Sequence, residues 1–397
     1  MKFIQQAVGL LALFWWSMGI VKAQKGSDHH TAIIDTTKQQ NKLTENEKSK
    51  IQINGYVDIA YVWGQTGTAP QINDLGDTIL VHGKRDYTSF PLYANQFSMP
   101  YSYFQISYQY SDKLRARFAL HAGHIVESLY AEELQSLRYV REASIYYQFS
   151  DKFNVEAGIF PSLFGFEILI LKENLHATRA YIADFAPDYE MGVRLGYNFT
   201  ERLSMRAMVL NGWQEIRNGN GNPGFALLLQ YDAPKNMFLN WGIYFGDEGQ
   251  VGGKSAWRLY HNIFAKLYLG NRWIVAPMLD FGWEQRKTIK NGGEMQTISF
   301  YAPALSIRYA LAAHWGVAAR WDRVYDPQGL IPELTTHSPN GWQSDSFTLT
   351  FEYLPLPQIT FRTEGRYGWN KDAVFRDADN LPTNKDYFAL VSAAVQF

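Results

Sequence analysis

The chain has 397 residues, and its 37 basic and 38 acidic side chains leave a formal net charge of −1. This near balance argues against nucleic acid as a partner. Cysteine is absent, which excludes disulfides, thiolate metal sites and a lipid anchor on an N-terminal cysteine. Charged residues make up 19% of the chain, below the roughly 25% of soluble domains, whereas Phe, Tyr and Trp reach 16%. Aromatic content at this level is typical of girdles at two membrane interfaces.

The first predicted element is an export signal. Lys2 precedes an apolar run over residues 8–21, and Val21-Lys22-Ala23 has the small or aliphatic residues of a cleavage site. A signal anchor is the weaker alternative, because the run is shorter than the roughly 20 residues of a spanning helix. We predict a signal peptide over residues 1–23 and a flexible polar periplasmic leader over residues 24–50.

From Ile51 onward, apolar and polar residues alternate with period two, which predicts strands that have one apolar and one polar face. About 16 segments follow this pattern, an even number that suits a single-chain bacterial barrel. Most are near the roughly 9–11 residues that a tilted strand needs to cross a membrane. The predicted strands are 51–63, 99–110, 114–123, 140–149, 153–159, 189–199, 203–214, 223–232, 237–246, 257–269, 272–285, 296–309, 314–325, 343–353, 358–369 and 386–397.

The breaks between these segments alternate between short and long. Tight turns are predicted at 111–113, 150–152, 200–202, 233–236, 270–272, 310–313 and 355–357. Long connections are predicted at 64–98, 124–139, 160–188, 215–222, 247–256, 286–295, 326–342 and 370–385. Periplasmic turns and extracellular loops differ in this way, and a soluble β-sandwich seldom alternates so regularly. The sequence therefore predicts an all-β fold over residues 51–397: a transmembrane antiparallel up-and-down β-barrel of about 16 strands.

The two faces of the predicted strands separate well. The ninth segment carries one unbroken apolar row, formed by Met237, Leu239, Trp241, Ile243 and Phe245. In a barrel such a row faces lipid, and the polar row faces water inside. The last segment alternates up to an aromatic residue, Phe397, and resembles the closing strand of a bacterial outer-membrane β-barrel.

The charged residues on the polar face are predicted to line the pore: Arg115, Arg117, His121, Arg194, Arg206, Arg258, Lys266, Arg308, Arg320, Arg362, Arg366, Glu142, Glu352 and Glu364. By the same alternation, the remaining acids on this face are Asp58, Glu156, Asp280, Glu284 and Asp322. Fixed charges inside a pore select small polar solutes. The alternative is that they mainly pair across the wall and keep the barrel round. A slight basic excess predicts a weak preference for anions.

The connection 160–188 is the third on the extracellular side, and it is both long and apolar. We expect it to fold into the barrel and narrow it, because so apolar a loop would not remain in water. Its charged side chains are predicted to form the constriction: Glu167, Lys172, Glu173, Arg179 and Asp184. The alternative is a lid or an oligomer contact outside the pore.

Several short motifs occur in a characteristic order. Gly158 to Glu167 reads GIFPSLFGFE and is followed by Thr178-Arg179-Ala180-Tyr181, the run GVRLGY that begins at Gly192, and Asn211-Gly212-Trp213. Further on, Phe361 to Phe375 reads FRTEGRYGWNKDAVF. This order resembles the OmpL-like β-barrel porin family of Gram-negative outer membranes. The resemblance implies an outer-membrane pore without catalytic residues, and analogy with barrels of this size implies a homotrimer.

These features together predict a porin through which small polar solutes diffuse passively, held in outer-membrane lipid and needing no cofactor. The alternative function is a structural or adhesive barrel with a blocked lumen and partner-binding extracellular loops. A hydrolase is disfavoured, because none of the histidines adjoins a nucleophile motif such as GxSxG. A gated active transporter is disfavoured as well, because residues 24–50 are too few for the folded plug of such barrels.

Overall fold

Sixteen strands form the barrel wall in this computed structural model, which describes residues 50–65, 68–72, 78–82, 85–251, 254–287, 294–331 and 338–397. In chain order they are β1 (Ile51–Gly64), β2 (Ser102–Gln109), β3 (Leu114–Ala122), β4 (Val140–Gln148), β5 (Phe153–Pro161), β6 (Tyr189–Asn198), β7 (Leu203–Leu210), β8 (Gly224–Ala233), β9 (Met237–Val251), β10 (Lys254–Leu269), β11 (Trp273–Lys287), β12 (Met295–Ala312), β13 (Trp315–Asp326), β14 (Trp342–Leu356), β15 (Ile359–Asn370) and β16 (Lys385–Gln396).

The predicted signal peptide and residues 24–49 of the predicted leader lie outside the described residues. Among the described residues, the helical elements are α1 (His124–Leu129) and two 3-10 turns, Leu171–Glu173 and Tyr181–Asp184. In the described part of the chain, none of the helices has the length and apolar character needed to cross a membrane.

The barrel closes because the first strand pairs with both the second and the last. β1 pairs antiparallel with β2 through the register Ile53↔Ile106, and with β16 through Ile59↔Ala393. The other strands pair in chain order. Closure therefore satisfies the backbone groups of the terminal strands, which hydrocarbon cannot do for an open edge.

Two local features shape this closure. The predicted strand 99–110 begins late, at Ser102, because Pro100 has no N–H to donate to the ladder; before it, Gln96–Ser98 pairs separately with β1. Where β1 meets β16, Gly55 exchanges backbone hydrogen bonds of 2.7 and 2.9 Å with Phe397. A Cβ at Gly55 would overlap the Phe397 ring, so in this arrangement the glycine lets the ring lie over the backbone of β1.

The connections follow the predicted alternation of short turns and long loops at every position but one, since only two residues lie between β9 and β10. Seven breaks of two to four residues lie at one end of the barrel: 110–113, 149–152, 199–202, 234–236, 270–272, 313–314 and 357–358. The connections at the other end are 65–101, 123–139, 162–188, 211–223, 252–253, 288–294, 327–341 and 371–384.

Three predicted boundaries are wrong. The loops 247–256 and 286–295 are shorter than predicted, because β9 pairs with β10 as far as Val251↔Lys254 and β11 with β12 as far as Lys287↔Met295. The predicted strand 203–214 ends early, at Leu210. The chain turns there, and Gln214 has a φ of 54° that no strand accommodates.

The outward face is apolar, as predicted. Leu239, Trp241 and Phe245 of the predicted row are 39%, 45% and 50% exposed. Near the turns, Trp273 packs on Tyr309 and Trp315 stacks on Tyr353, with ring centroids 4.5 and 4.3 Å apart. These pairs form part of an aromatic girdle at the end of the barrel that carries the short turns.

The interior is not polar throughout. A cluster of buried apolar side chains joins α1, the start of β6 and the inward face of β1 and β2. Tyr130 stacks on Tyr189 at 3.9 Å within this cluster, and Tyr101 is fully buried beside them. Aromatic packing therefore fills part of the space that the strand pattern alone assigns to water.

Candidate pore interior

Loop 162–188 connects β5 to β6 and contacts inward-facing side chains of β13 to β15. The central contact is made by Arg320, whose side chain is 1% exposed. It donates to Glu167 of the loop at 2.7 Å and to the backbone carbonyl of Thr178 at 2.8 Å. Because residues two apart share a strand face, Asp322 lies inward too and accepts from Arg320 at 3.1 Å.

Arg362 on β15 binds the middle of the loop through its backbone. Its Nη1 donates to the carbonyls of Leu171 and His176 at 2.6 and 3.0 Å. Its Nη2 donates to Asn174 O at 2.5 Å and to Glu352 of β14 at 3.3 Å. One guanidinium therefore binds three backbone carbonyls in the 3-10 turn Leu171–Glu173 and just after it.

Glu364, two residues further along β15, accepts from the loop. It receives the backbone N–H groups of Ala177 and Thr178 at 2.6 and 3.0 Å, and also the Thr178 hydroxyl. From the wall, Thr350 donates to it at 2.7 Å. Charge-assisted bonds of this kind are the strong ones, so Glu364 fixes the loop backbone.

Arg366 completes the row on β15. Its guanidinium lies 3.9 Å over the Tyr181 ring and donates to the carbonyl of Arg179 at 3.0 Å. It also donates to Asp322 at 3.1 Å. The wall of β13 to β15 thus meets the loop with alternating arginines and carboxylates, most of them buried.

Arg179 organises the end of the loop. It pairs with Asp184 and Asp188, each at 2.6 Å, and donates to the Ser89 hydroxyl at 3.2 Å. Ser89 in turn donates to Asp184 from its backbone and its hydroxyl, at 2.9 and 2.6 Å. The loop is therefore tied to the first extracellular connection.

Burial raises the pKa of the Asp188 carboxyl to about 6, although the neighbouring Arg179 lowers it. For Arg179 itself, burial lowers the pKa but the two carboxylates raise it above its ordinary value. The two carboxylates therefore keep the Arg179 guanidinium charged despite its burial.

The other two predicted constriction residues lie at the side of the loop nearest the barrel seam. Lys172 reaches Gln396 at 3.4 Å and Glu173 at 3.6 Å, and both side chains are partly exposed. Predicted residue Lys266 lies 4.8 Å over the ring of Phe166, so its charge also abuts the loop.

A different arrangement occupies the arc of β3 to β7. Arg117 pairs with Glu142 at 3.1 Å, and Arg194 pairs with Glu156 at 2.6 Å. Arg115 lies over Tyr146 at 4.8 Å. The charged side chains of the arc are Arg115, Arg117, Arg141, Arg194, Arg206, Glu142, Glu156 and Glu190. Arginines outnumber glutamates, so the arc carries net positive charge.

Two further ion pairs connect inward-facing residues of the polar face. Arg258 of β10 donates to Glu284 of the neighbouring β11 at 2.7 Å, and Arg308 of β12 pairs with Glu352 of β14 across the intervening β13. His121 instead lies in the aromatic cluster, where its ring contacts the Tyr101 hydroxyl at 3.1 Å and the carbonyl of Arg138 at 3.1 Å.

The predicted pore-lining residues thus fall into three groups. Four are buried in ion pairs between strands of the wall: Arg117, Glu142, Arg308 and Glu352. His121, Arg320, Arg362, Arg366 and Glu364 are buried against the loop or the aromatic cluster. The group that keeps partial exposure is Arg115, Arg194, Arg206, Arg258 and Lys266. The sequence did not single out Ser89, Thr178 or Asp188 as site residues. Nothing local marks them, because each acts through partners brought close by the fold.

The amino-acid sequence also matches a known family of barrel proteins. Residues 50–397 match the family model described as "Putative beta-barrel porin-2, OmpL-like". The chain belongs to this family. It is therefore an outer-membrane barrel of a Gram-negative bacterium. A search of curated proteins found no match.

Solved structures share the fold at low sequence identity. The outer membrane channel DcaP of Acinetobacter baumannii is 10% identical, with a TM-score of 0.56 and coverage of 89% of this chain and 99% of that one. An anion-selective porin from Comamonas acidovorans is 12% identical, with a TM-score of 0.55 and coverage of 87% and 99%. In-vitro folded OmpT of Vibrio cholerae, in its trimer form, is 10% identical, with a TM-score of 0.53 and coverage of 87% and 99%.

Proposed function

We propose that this barrel is a passive porin for small polar solutes, that it prefers anions weakly, and that loop 162–188 sets its aperture. The main support for the proposal is that arginines outnumber glutamates on the inner face of the β3–β7 arc, within a closed barrel wall. A channel of this class needs no chemistry, and the proposal assigns no catalytic residue and no cofactor.

The loop contacts support a constriction on one side of the lumen. Arg320, Arg362 and Glu364 hold the loop against β13 to β15. Their charged groups are hydrogen-bonded to loop atoms in that contact. The route left for solute then runs along the opposite arc. We place the constriction between this arc and the loop.

The charge of the arc supports the anion preference. Arg115 and Arg206 are partly exposed, whereas Glu142 and Glu156 are buried in pairs with Arg117 and Arg194. A pore wall with net positive charge raises the local concentration of anions and lowers that of cations. One of the similar structures is itself an anion-selective porin.

The test is the reversal potential of purified protein in planar bilayers under a KCl gradient. We expect discrete current steps and a reversal potential of the sign that anion preference gives. The double variant Arg115→Gln and Arg206→Gln should move the potential towards zero. The matched control, Arg202→Gln, changes the same residue type on the exposed 199–202 turn and should leave the potential unchanged. A cation preference in the unmodified protein would contradict the proposal.

A second candidate function is a structural or adhesive barrel with a blocked lumen. The observation that favours it is the burial of apolar loop side chains such as Leu171, Leu175 and Ile182, together with the aromatic cluster around Tyr130. Current steps discriminate between the two functions. A folded, reconstituted protein that never conducts would favour the blocked barrel.

We also propose a homotrimer, by analogy with the trimer form of the Vibrio cholerae protein. Mass photometry of detergent-purified protein tests this directly. Folded barrels and heat-denatured barrels migrate differently in gel electrophoresis, which shows in which detergent concentrations the protein stays folded. A monomer mass at all of those concentrations would contradict the proposal.

A further inference from the structure

A small cavity lies between loop 162–188 and the wall, where the barrel closes. One side of it is a cross-strand row in which Ala394 of β16 pairs with Asp58 of β1 and with Thr360 of β15. These side chains face inward, since side chains alternate along a strand and the next residue, Ala393, is exposed on the outer face. Neighbouring strands are about 4.8 Å apart, so the Cα atoms of Asp58 and Thr360 lie roughly 10 Å apart. The small methyl group of Ala394 therefore leaves a gap between two polar side chains.

The loop covers the other side of the cavity. Leu171 and Lys172 line it, and the backbone N–H of Lys172 donates to the Tyr56 hydroxyl at 3.3 Å. Tyr56 in turn donates to Asp58 Oδ2 at 2.9 Å. Arg362, which binds the loop carbonyls through its two Nη atoms, lines the same cavity. The cavity therefore lies between the closing strands and the residue that anchors the middle of the loop.

Three buried polar atoms that belong to lining residues have no hydrogen-bond partner among the residues that the structure describes. They are Asp58 Oδ1, Thr360 Oγ1 and Arg362 Nε. Their residues are only 2%, 2% and 6% exposed, so bulk water does not solvate them. Burying a polar group without a partner is costly, and native structures contain few such groups. Three of them around one cavity indicate a bound polar molecule that they share.

The cavity has the size of a single water molecule. Its volume, taken as the space open to the centre of a water molecule, is about 10 Å³, which is close to the smallest volume that holds one ordered water. Cavities that stay dry are lined by apolar groups, whereas a buried water typically makes about three hydrogen bonds. The three unpartnered atoms supply that number.

We propose that this cavity is a binding site for one ordered water molecule, which bridges β1 and β15 behind the loop. The water accepts from Arg362 Nε, donates to Asp58 Oδ1 and shares a hydrogen bond with the Thr360 hydroxyl. It thereby holds the guanidinium of Arg362 in the orientation in which both Nη atoms reach the loop carbonyls. The site connects closure of the wall to docking of the loop.

A small ion is the other occupant that the volume admits. A cation would lie against the N–H of Arg362 and near Lys172, and an anion would lie against the carboxylate of Asp58. Water both donates and accepts, and it carries no charge that either neighbour repels. The mixture of donors, acceptors and opposite charges around the cavity therefore favours water.

The direct test is a high-resolution crystal structure of the full protein. We expect a density peak within about 2.7–3.2 Å of Arg362 Nε, Asp58 Oδ1 and Thr360 Oγ1. A cavity without density, or a direct hydrogen bond between Arg362 and Asp58, would overturn the proposal. An anomalous signal at this position in crystals soaked with rubidium or bromide would overturn it too, because the site would then belong to an ion.

Two substitutions of Ala394 test the site in solution, because a bound water and a dry cavity predict opposite results. Ala394→Ser places a hydroxyl between Asp58 and Thr360 that takes over hydrogen bonds of the water, so the melting temperature should change little. Ala394→Val expels the water and leaves the polar atoms unpaired, so the melting temperature should fall by a few degrees. In a dry cavity, valine would fill a void and raise the melting temperature.

The matched controls are Ala393→Ser and Ala393→Val on the outer face of the same strand. Neither side chain reaches the cavity, and valine suits an apolar outer face at least as well as serine does. Serine should therefore be the more stable variant at position 394 but not at position 393. The same order of melting temperatures at both positions would count against the water site. If the Ala394 variants do not fold, the density in the unmodified protein decides alone.

This inference does not depend on the proposed pore function. A conducting barrel and a blocked one both need a closed wall and a docked loop, so the water is expected in either. Single-channel recording decides between those two functions, whereas the density in the cavity decides the water site.

Discussion

The wall of β13 to β15 and the arc of β3 to β7 both carry inward-facing arginines, but the two regions use them differently. On the wall, Arg320 and Arg362 are buried and donate to carboxylates and carbonyls of loop 162–188. On the arc, Arg115 and Arg206 keep partial exposure, and arginines outnumber glutamates. The same residue type is therefore structural on one side of the barrel and, in our proposal, selective on the other.

The difference teaches that charge on the inner face does not by itself identify a pore lining. A guanidinium that is fully enclosed has its field cancelled by its partners, whereas one that reaches water acts on passing ions. Burial and pairing must be known before a charged residue is assigned to either role.

The sharpest way to break the comparison is Arg320→Met. This change leaves Glu167 buried without its cation, whereas Asp322 keeps its pair with Arg366. Breaking a buried pair costs about 3–5 kcal/mol. We expect a lower free energy of unfolding and, in bilayers, larger and noisier current steps because the loop is released. The measurements are the folded fraction as urea concentration rises, read from the gel band of the folded protein, and single-channel recording.

The control for this change is Arg323→Met on the same strand, three residues further along. Arg323 faces outward and makes no contact with the loop, so its replacement should leave conductance unchanged. Equal conductance changes in the two variants would contradict the structural role of Arg320.

The next largest effect is expected from Glu364→Gln. The two carboxylate oxygens of Glu364 accept from Ala177, Thr178 and Thr350 together. The glutamine amide has only one acceptor oxygen, and its NH2 group faces the remaining donors. A buried donor left without a partner costs about 1–3 kcal/mol. Thermal melting of the reconstituted protein should show this loss, whereas Glu201→Gln on an exposed turn should not.

A smaller effect is expected on the arc. A unit charge about 8 Å from a passing ion in water contributes roughly 0.5 kcal/mol, which favours an anion and disfavours a cation by about twofold each. Replacing Arg115 and Arg206 by glutamine should therefore lower the anion-to-cation permeability ratio by about tenfold at most once salt screening is included, with little change in stability. Reversal potentials measure the ratio, and an unaltered ratio would remove the arc from the selectivity mechanism.

The smallest effect concerns ionic strength. Screening lengths fall from about 30 Å at 0.01 M salt to about 3 Å at 1 M. Selectivity that arises from partly exposed arginines should weaken steadily as salt rises, whereas the melting temperature, which depends on buried pairs, should change little. Selectivity independent of salt would favour a purely steric filter over the charged arc.

Much of the fold was predictable because the signal is local. The alternation that places Leu239 and Trp241 outward repeats every two residues, and turn residues interrupt it at regular intervals. Errors arose where the pattern lapses without ending the strand, as beyond residue 246, or continues after the strand has ended, as after Leu210. Hydrogen bonding between neighbours, not hydrophobicity, decides those ends.

The site was predictable only in part. The alternation of side chains along a strand places Asp322 inward and Arg323 outward, and it singles out the arginines of the arc. It does not distinguish Arg115, which keeps partial exposure, from Arg320, which is buried. Arg320 meets Glu167 across 153 residues of chain, and no local pattern encodes a contact of that range.

The sequence by itself determined the strands, the lipid-facing rows and the membrane class, because a two-residue period and the cost of unpaired backbone in hydrocarbon allow few other solutions. Only the tertiary structure decided which charges are buried beneath loop 162–188, and which pairs of strands set arginine against carboxylate. Those outcomes depend on distances between segments far apart in the chain, which exist only once the barrel has closed.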